Sequence, residues 1–156
     1  MSQLGLPQDW RFAIFNQTGI TVSNAPNSGP TVVGRRVRFD STGTLSYEAA
    51  HVSFFSISSL SGGANIGNNS YVTGSNFSNT VSTWLGGEFV FSAGTVSNAS
   101  GNITLYLEFS TDGGVTWPSP ASANGAGGGM VIAVLGFAST TTASTASTNR
   151  NVVFEL

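Results

Sequence analysis

Asn102-Ile103-Thr104-Leu105-Tyr106-Leu107-Glu108-Phe109-Ser110 alternates without a break. Ile103, Leu105, Leu107 and Phe109 share one face, while Thr104, Tyr106, Glu108 and Ser110 share the other. Successive side chains of a β-strand point to opposite sides, so this two-residue period predicts a half-buried strand of an antiparallel sheet.

The same period recurs in both directions along the chain. Thr31 to Asp40 sets Val33, Val37 and Phe39 on one side, with Arg36, Arg38 and Asp40 opposite as an outward polar face. Trp10 to Phe15, Gly19 to Ser23, Glu88 to Ser92 and Asn151 to Leu156 read as further strands. Thr44 to Ser58 is longer, and its apolar positions slip by one residue between Ala49 and Phe55, as a β-bulge or bend supplies where a strand turns a sandwich corner. Met130 to Ala138 is apolar on both faces, which fits a central strand or one covered by another subunit. Between the strands lie Gly-, Ser- and Asn-rich loops at 61–70, 73–80, 118–129 and 139–149, and Pro26 and Pro30 punctuate the approach to the arginine-bearing strand. No segment carries a helical period, and no repeat appears. One all-β domain over residues 1–156 is expected: an antiparallel β-sandwich of about eight strands, of jelly-roll type.

Composition narrows what such a domain does. The 156 residues include no cysteine, one histidine (His51) and 8% charged residues, with five arginines and no lysine. Acid–base, nucleophilic and metal chemistry draw on those scarce types, so the chain reads as a non-enzyme without cofactor or metal. His51 reads as a hydrogen-bonded, partly buried strand residue. The seven acids form no recognisable glycosidase pair. A formal net charge of −2 offers nothing to attract polyphosphate, so nucleic acid is not expected as a partner. It also leaves repulsion between neighbouring molecules weak. Residues 1–16 show no secretion signal, and no apolar run reaches the ~20 residues of a membrane helix, so no membrane partner is expected.

Three groups of residues stand out as candidates. Ser110, Asp112, Gly113, Gly114, Thr116 and Trp117 form a hairpin motif: Asp-Gly-Gly accepts positive φ, Asp112 can receive backbone N–H groups and Trp117 can fold back on the strand. The motif resembles the Asp-box of sialidase-type propellers, but it occurs once and without a sialidase's arginine triad. Arg36 and Arg38 are available to an acidic partner surface, while Arg35 points with the apolar set and pairs with an acid such as Glu48 or Glu88. Trp10, Trp84 and Trp117 are core or hairpin anchors, or else stacking platforms for a glycan. The sequons at Asn16, Asn68, Asn76, Asn98 and Asn102 are what a chain so rich in Asn, Ser and Thr makes by chance.

Several of these stretches together are similar to small virion proteins of tailed bacteriophages. They are the opening Asp9-Trp10-Arg11-Phe12-Ala13-Ile14-Phe15, then Gly34-Arg35-Arg36-Val37-Arg38-Phe39-Asp40, the run from Gly101 to Pro118, and the terminal Val152-Val153-Phe154-Glu155-Leu156. That resemblance implies a β-sandwich structural module, either a decoration or cement piece on the capsid or an accessory tail component. It further implies a homo-oligomer that meets other virion proteins in the particle and is assembled in the host cytoplasm. It carries no catalytic residue. A glycan-binding module of tail-fibre type is the alternative.

Overall fold

The computed structural model describes residues 6–22, 29–56, 65–79, 84–94, 99–117, 120–121, 126–127, 130–137 and 151–155. Pro26, Asn98, the loop at 139–149 and most of 118–129 lie outside the described residues. Twelve strands and no helix occur within them: β1 Asp9–Gln17, β2 Thr31–Phe39, β3 Leu45–Tyr47, β4 Val52–Ser56, β5 Ser70–Thr73, β6 Phe77–Ser78, β7 Gly86–Ser92, β8 Gly101–Ser110, β9 Pro120–Ala121, β10 Ala126–Gly127, β11 Met130–Phe137 and β12 Asn151–Glu155.

Ten of them make two antiparallel sheets. The first has the order β11-β8-β1-β5, with β6 also on β1; the second has β12-β7-β2-β3, with β4 also on β2. β5 and β6 run along one side of β1, and β3 and β4 along one side of β2, so each couple is one strand interrupted. Eight continuous strands result. The slip predicted in Thr44 to Ser58 is real: residues 48–51 leave the ladder, and the register shifts between Val32 and Val33. Both halves nevertheless stay on β2, so the segment turns no corner. His51 therefore sits exposed in the interruption, not in a strand. The expected strand at Gly19–Ser23 reduces to an isolated bridge between Val22 and Ile66, and Ser23 lies outside the described residues.

The core between the sheets is aromatic. Trp10, Phe12, Phe54, Phe55, Phe89 and Phe91 are all essentially inaccessible to solvent. Trp10 stacks on Phe77 at 4.9 Å between ring centres, while Phe89 meets Phe54 edge-on at 5.1 Å and Phe12 at 5.5 Å. Offset and edge-to-face pairs of this kind add about 0.5–1.5 kcal/mol each beyond burial. Phe89 fits because Gly34, directly across from it, has no side chain. A Cβ there would lie 2.7 Å from the Phe89 ring and 2.3 Å from the Glu88 carbonyl oxygen.

Two buried asparagines tie loops to this core. Asn16 donates through Nδ2 to the carbonyls of Ile20, Ile66 and Gly67, and its Oδ1 accepts from the Thr18 amide and hydroxyl. Asn79 donates to the Leu6 and Trp84 carbonyls and accepts the Trp84 amide. Truncating Asn16 would strand several buried groups at once. Asn16→Ala is expected to cost about 2 kcal/mol or more, read from urea unfolding. A loss under about 0.5 kcal/mol would show that water replaces the amide.

Candidate functional site

The Asp-box-like turn follows β8 and is built on two side chains. Ser110 Oγ accepts the Gly114 amide at 2.9 Å and donates to Asp112 Oδ1 at 2.7 Å. Asp112 also accepts the Thr116 amide at 2.8 Å and the Thr116 hydroxyl. Gly113 and Gly114 take φ of 76° and 82°, as the sequence predicts. The turn does not join two ladder partners, however: β9 pairs with β10, and β8 next meets β11. It is a self-bonded loop, not a tight hairpin.

Hydrogen bonds from Ser110 and from the Thr116 side chain and amide hold the Asp112 carboxyl down to about 2, below its usual 3.8. The turn's stabilisation is then complete above pH 3.8 and is lost as pH falls through about 2. The Thr116 amide resonance is expected to move with a midpoint near 2 in an acid titration followed by NMR. A midpoint at an ordinary aspartate value would mean an unbonded carboxylate.

Trp117 carries the turn onto the outer face of the first sheet. Its indole N–H donates to the Gly114 carbonyl, and the Arg11 guanidinium lies 4.3 Å from its ring centre. Arg11 sits opposite Glu108 in the β1–β8 ladder and donates to it at 2.7 Å. The Tyr71 hydroxyl donates to the other Glu108 oxygen. Burial, with this hydrogen bond and the Glu108 charge, pushes the Tyr71 phenol far above its ordinary range, so it remains a donor. Beside this network Ala13, Phe15 and Tyr106 form a second, smaller apolar cluster. The expectation that β8 is half-buried is thus corrected, since Glu108 is 0% exposed and Thr104, Tyr106 and Ser110 are buried as well. Arg11, Tyr71 and Trp117 cover the polar face of β8 because their pairing leaves no bare charge to hydrate.

The arginine strand is turned over relative to its predicted orientation. Val32 and Gly34 face the core, whereas Phe39, expected inside, is 59% exposed. Arg36 and Arg38 therefore lie on the inward-facing side and do not form an outer polar face. Their guanidiniums stand 4.6 Å and 4.8 Å from the Trp84 ring centre, at the end of the core. Arg36 also bonds Glu48, whose second oxygen takes the Arg36 amide at 2.9 Å. Burial alone would raise the Glu48 carboxyl; the hydrogen bonds and charge of Arg36, with the charge of Arg38, outweigh it and hold it low. Arg38 is exposed, and among the described residues no acid lies within bonding distance of it. Arg35 pairs with Glu88, one of the two acids expected.

These placements define what the residues can do. Glu48, Glu88 and Glu108 are each bonded to an arginine, and Asp40 and Asp112 bond the amides of their own turns. No group of three potential metal ligands occurs among the described residues. Of the tryptophans, Trp10 is fully buried, and Trp84 and Trp117 lie against guanidiniums. What sequence reasoning missed is the Arg11–Glu108–Tyr71 network. Its one signal was a glutamate in a strand otherwise apolar or hydroxylic.

Several large apolar side chains are exposed elsewhere. β11 is an edge strand, not a central one, with Val131 and Val134 more than half exposed. On the second sheet Phe39, Leu45, Tyr47 and Val90 are exposed together. Among the described residues no helix is long and apolar enough to cross a membrane. Compared with known proteins, the chain matches no family model, no curated protein sequence and no solved structure.

Proposed function

We propose that this chain is a structural module of a tailed-bacteriophage virion, a decoration or cement piece on the capsid or an accessory component of the tail, working by fitting against neighbouring proteins. One observation carries this reading beyond the sequence likeness. Most charged side chains described are spent on partners within the chain, while large apolar side chains on the second sheet remain exposed. Such a surface suits burial in an assembly.

Strand order supports the jelly-roll form of the sandwich. The orders β11-β8-β1-β5/β6 and β12-β7-β2-β3/β4 match position for position, each strand facing a neighbour in the chain. Eight strands wound as two Greek keys give that pattern, here opened before β1. Glycan binding has less support, because Trp10 offers no accessible ring and the other two indoles already bear guanidiniums.

The test is recovery in purified particles. A fixed ratio of this chain to the major capsid or tail protein, with particles lacking it falling apart at lower temperature, is the expected result. Its absence from washed particles would end the reading.

A further inference from the structure

The two outer faces of the sandwich differ in a way that points to a partner. On the first sheet Arg11, Tyr71, Tyr106 and Trp117 cover the outer face at β1 and β8 and leave Val131 and Val134 exposed along the edge strand β11, whereas on the second the face of β7, β2 and β3 lies open across its middle. Across it the ladder sets Val33 beside Val90, Arg35 beside Glu88, Val37 beside both Gly86 and Tyr47, and Phe39 beside Leu45. Over β7, β2 and β3 the face is an apolar sheet surface with Arg35 and Glu88 at its middle, and β12 sets Glu155 beside Glu88 in the ladder.

That ion pair is unfinished. Arg35 reaches Glu88 through one contact of 3.3 Å, with side chains 35% and 44% exposed. Among the described residues the Arg35 Nε has no hydrogen-bond partner, and no bond is made by the second carboxylate oxygen of Glu88.

We propose that this face is a homotypic docking surface whose occupant is a second copy of the chain, packed sheet against sheet about a two-fold axis. Charge selects both the occupant and the axis. A two-fold running along the strands, midway between β2 and β7, lays each β2 over the β7 of the second copy. Arg35 then meets Glu88 of the second copy and Glu88 meets its Arg35, Val33 meets Val90, and Val37 meets the bare Gly86. A two-fold across the strands would instead oppose arginine to arginine. An isologous contact needs a self-complementary patch, which the Arg35–Glu88 pair supplies. The whole sheet, with β12 beside β7 and with β3 and β4 together beside β2, is four strands wide; at about 4.8 Å spacing and roughly 25 Å length it presents about 500 Å² in projection, against the ~800 Å² of relief-bearing surface that each partner of a standard interface buries.

This contact deepens the assembly reading, but the two fail separately: the dimer is measured on the isolated chain, and incorporation is measured on particles. The experiment is sedimentation equilibrium on Arg35→Glu, Glu88→Arg and their equimolar mixture, beside the unsubstituted protein. Each single variant sets like charges against each other in its own dimer and is expected to dissociate at least about tenfold more readily. The mixture restores both cross-pairs and is expected to associate within about threefold of the unsubstituted chain. Val90→Glu, at an exposed position, serves if a charge variant does not fold, and should also be monomeric. An unsubstituted chain that stays monomeric up to about 200 µM overturns the proposal, as does a dimer indifferent to the variants or a mixture that fails to associate.

Discussion

Glu108→Ala is expected to lower the unfolding free energy by about 3–5 kcal/mol, among the largest losses from any single change outside the aromatic core. The carboxylate is wholly buried, and the alanine would leave two donors behind. Arg11, 16% exposed at its side chain, would lose the one anion it bonds among the described residues, and Tyr71 would lose its acceptor. Breaking a buried pair from one side strands the remaining charge, which costs more than the pair itself contributes. Near 156 residues that loss corresponds to a fall of about 6–20 °C in melting temperature. Glu108→Gln keeps the shape and one acceptor, so its cost should be smaller. The double variant Arg11→Met with Glu108→Leu should recover much of the loss, since neither charge then needs a partner. Calorimetry on the four proteins decides it. A cost under about 1 kcal/mol for Glu108→Ala would mean that solvent reaches the site.

Phe54→Ala is expected to cost about 3–5 kcal/mol by a different mechanism. The Phe54 ring is 1% exposed and touches Trp10, Phe77 and Phe89, and Arg36 stands 5.5 Å above it. These neighbours are themselves large rings held from several sides, so the cavity has little means of collapsing. Val115→Ala, at a site 79% exposed, should change stability by no more than about 0.5 kcal/mol. Urea melts that gave the two variants similar midpoints would contradict the packing described here.

The contrast between these sites shows what could be read from the chain. Strand positions were legible because the signal is local: β2 and β8 announce themselves by a period of two, and β11 by a strand-length run apolar on both faces. Turn chemistry was legible for the same reason. The Ser110–Trp117 loop binds residues at most four apart, and its glycines adopt the positive φ that their type permits. The facing of β2 was not legible. Val32 and Val33 are equally apolar, so alternation alone allows either set inside. Phe89, needing the space that Gly34 leaves, sends Val32 inward and Phe39 out.

The chain by itself determined that it folds as antiparallel sheets, where most strands fall, and which turn follows β8. Those properties follow from side-chain type and from spacing over a few residues. Only the tertiary structure decided that Glu108 is neutralised by Arg11, 97 positions away, that the polar face of β8 is buried at Thr104, Tyr106, Glu108 and Ser110, and that Phe39, Leu45, Tyr47 and Val90 share an open face of the second sheet. Such pairings depend on ladder register between distant strands, and no local pattern encodes which of several arginines will arrive opposite a given acid.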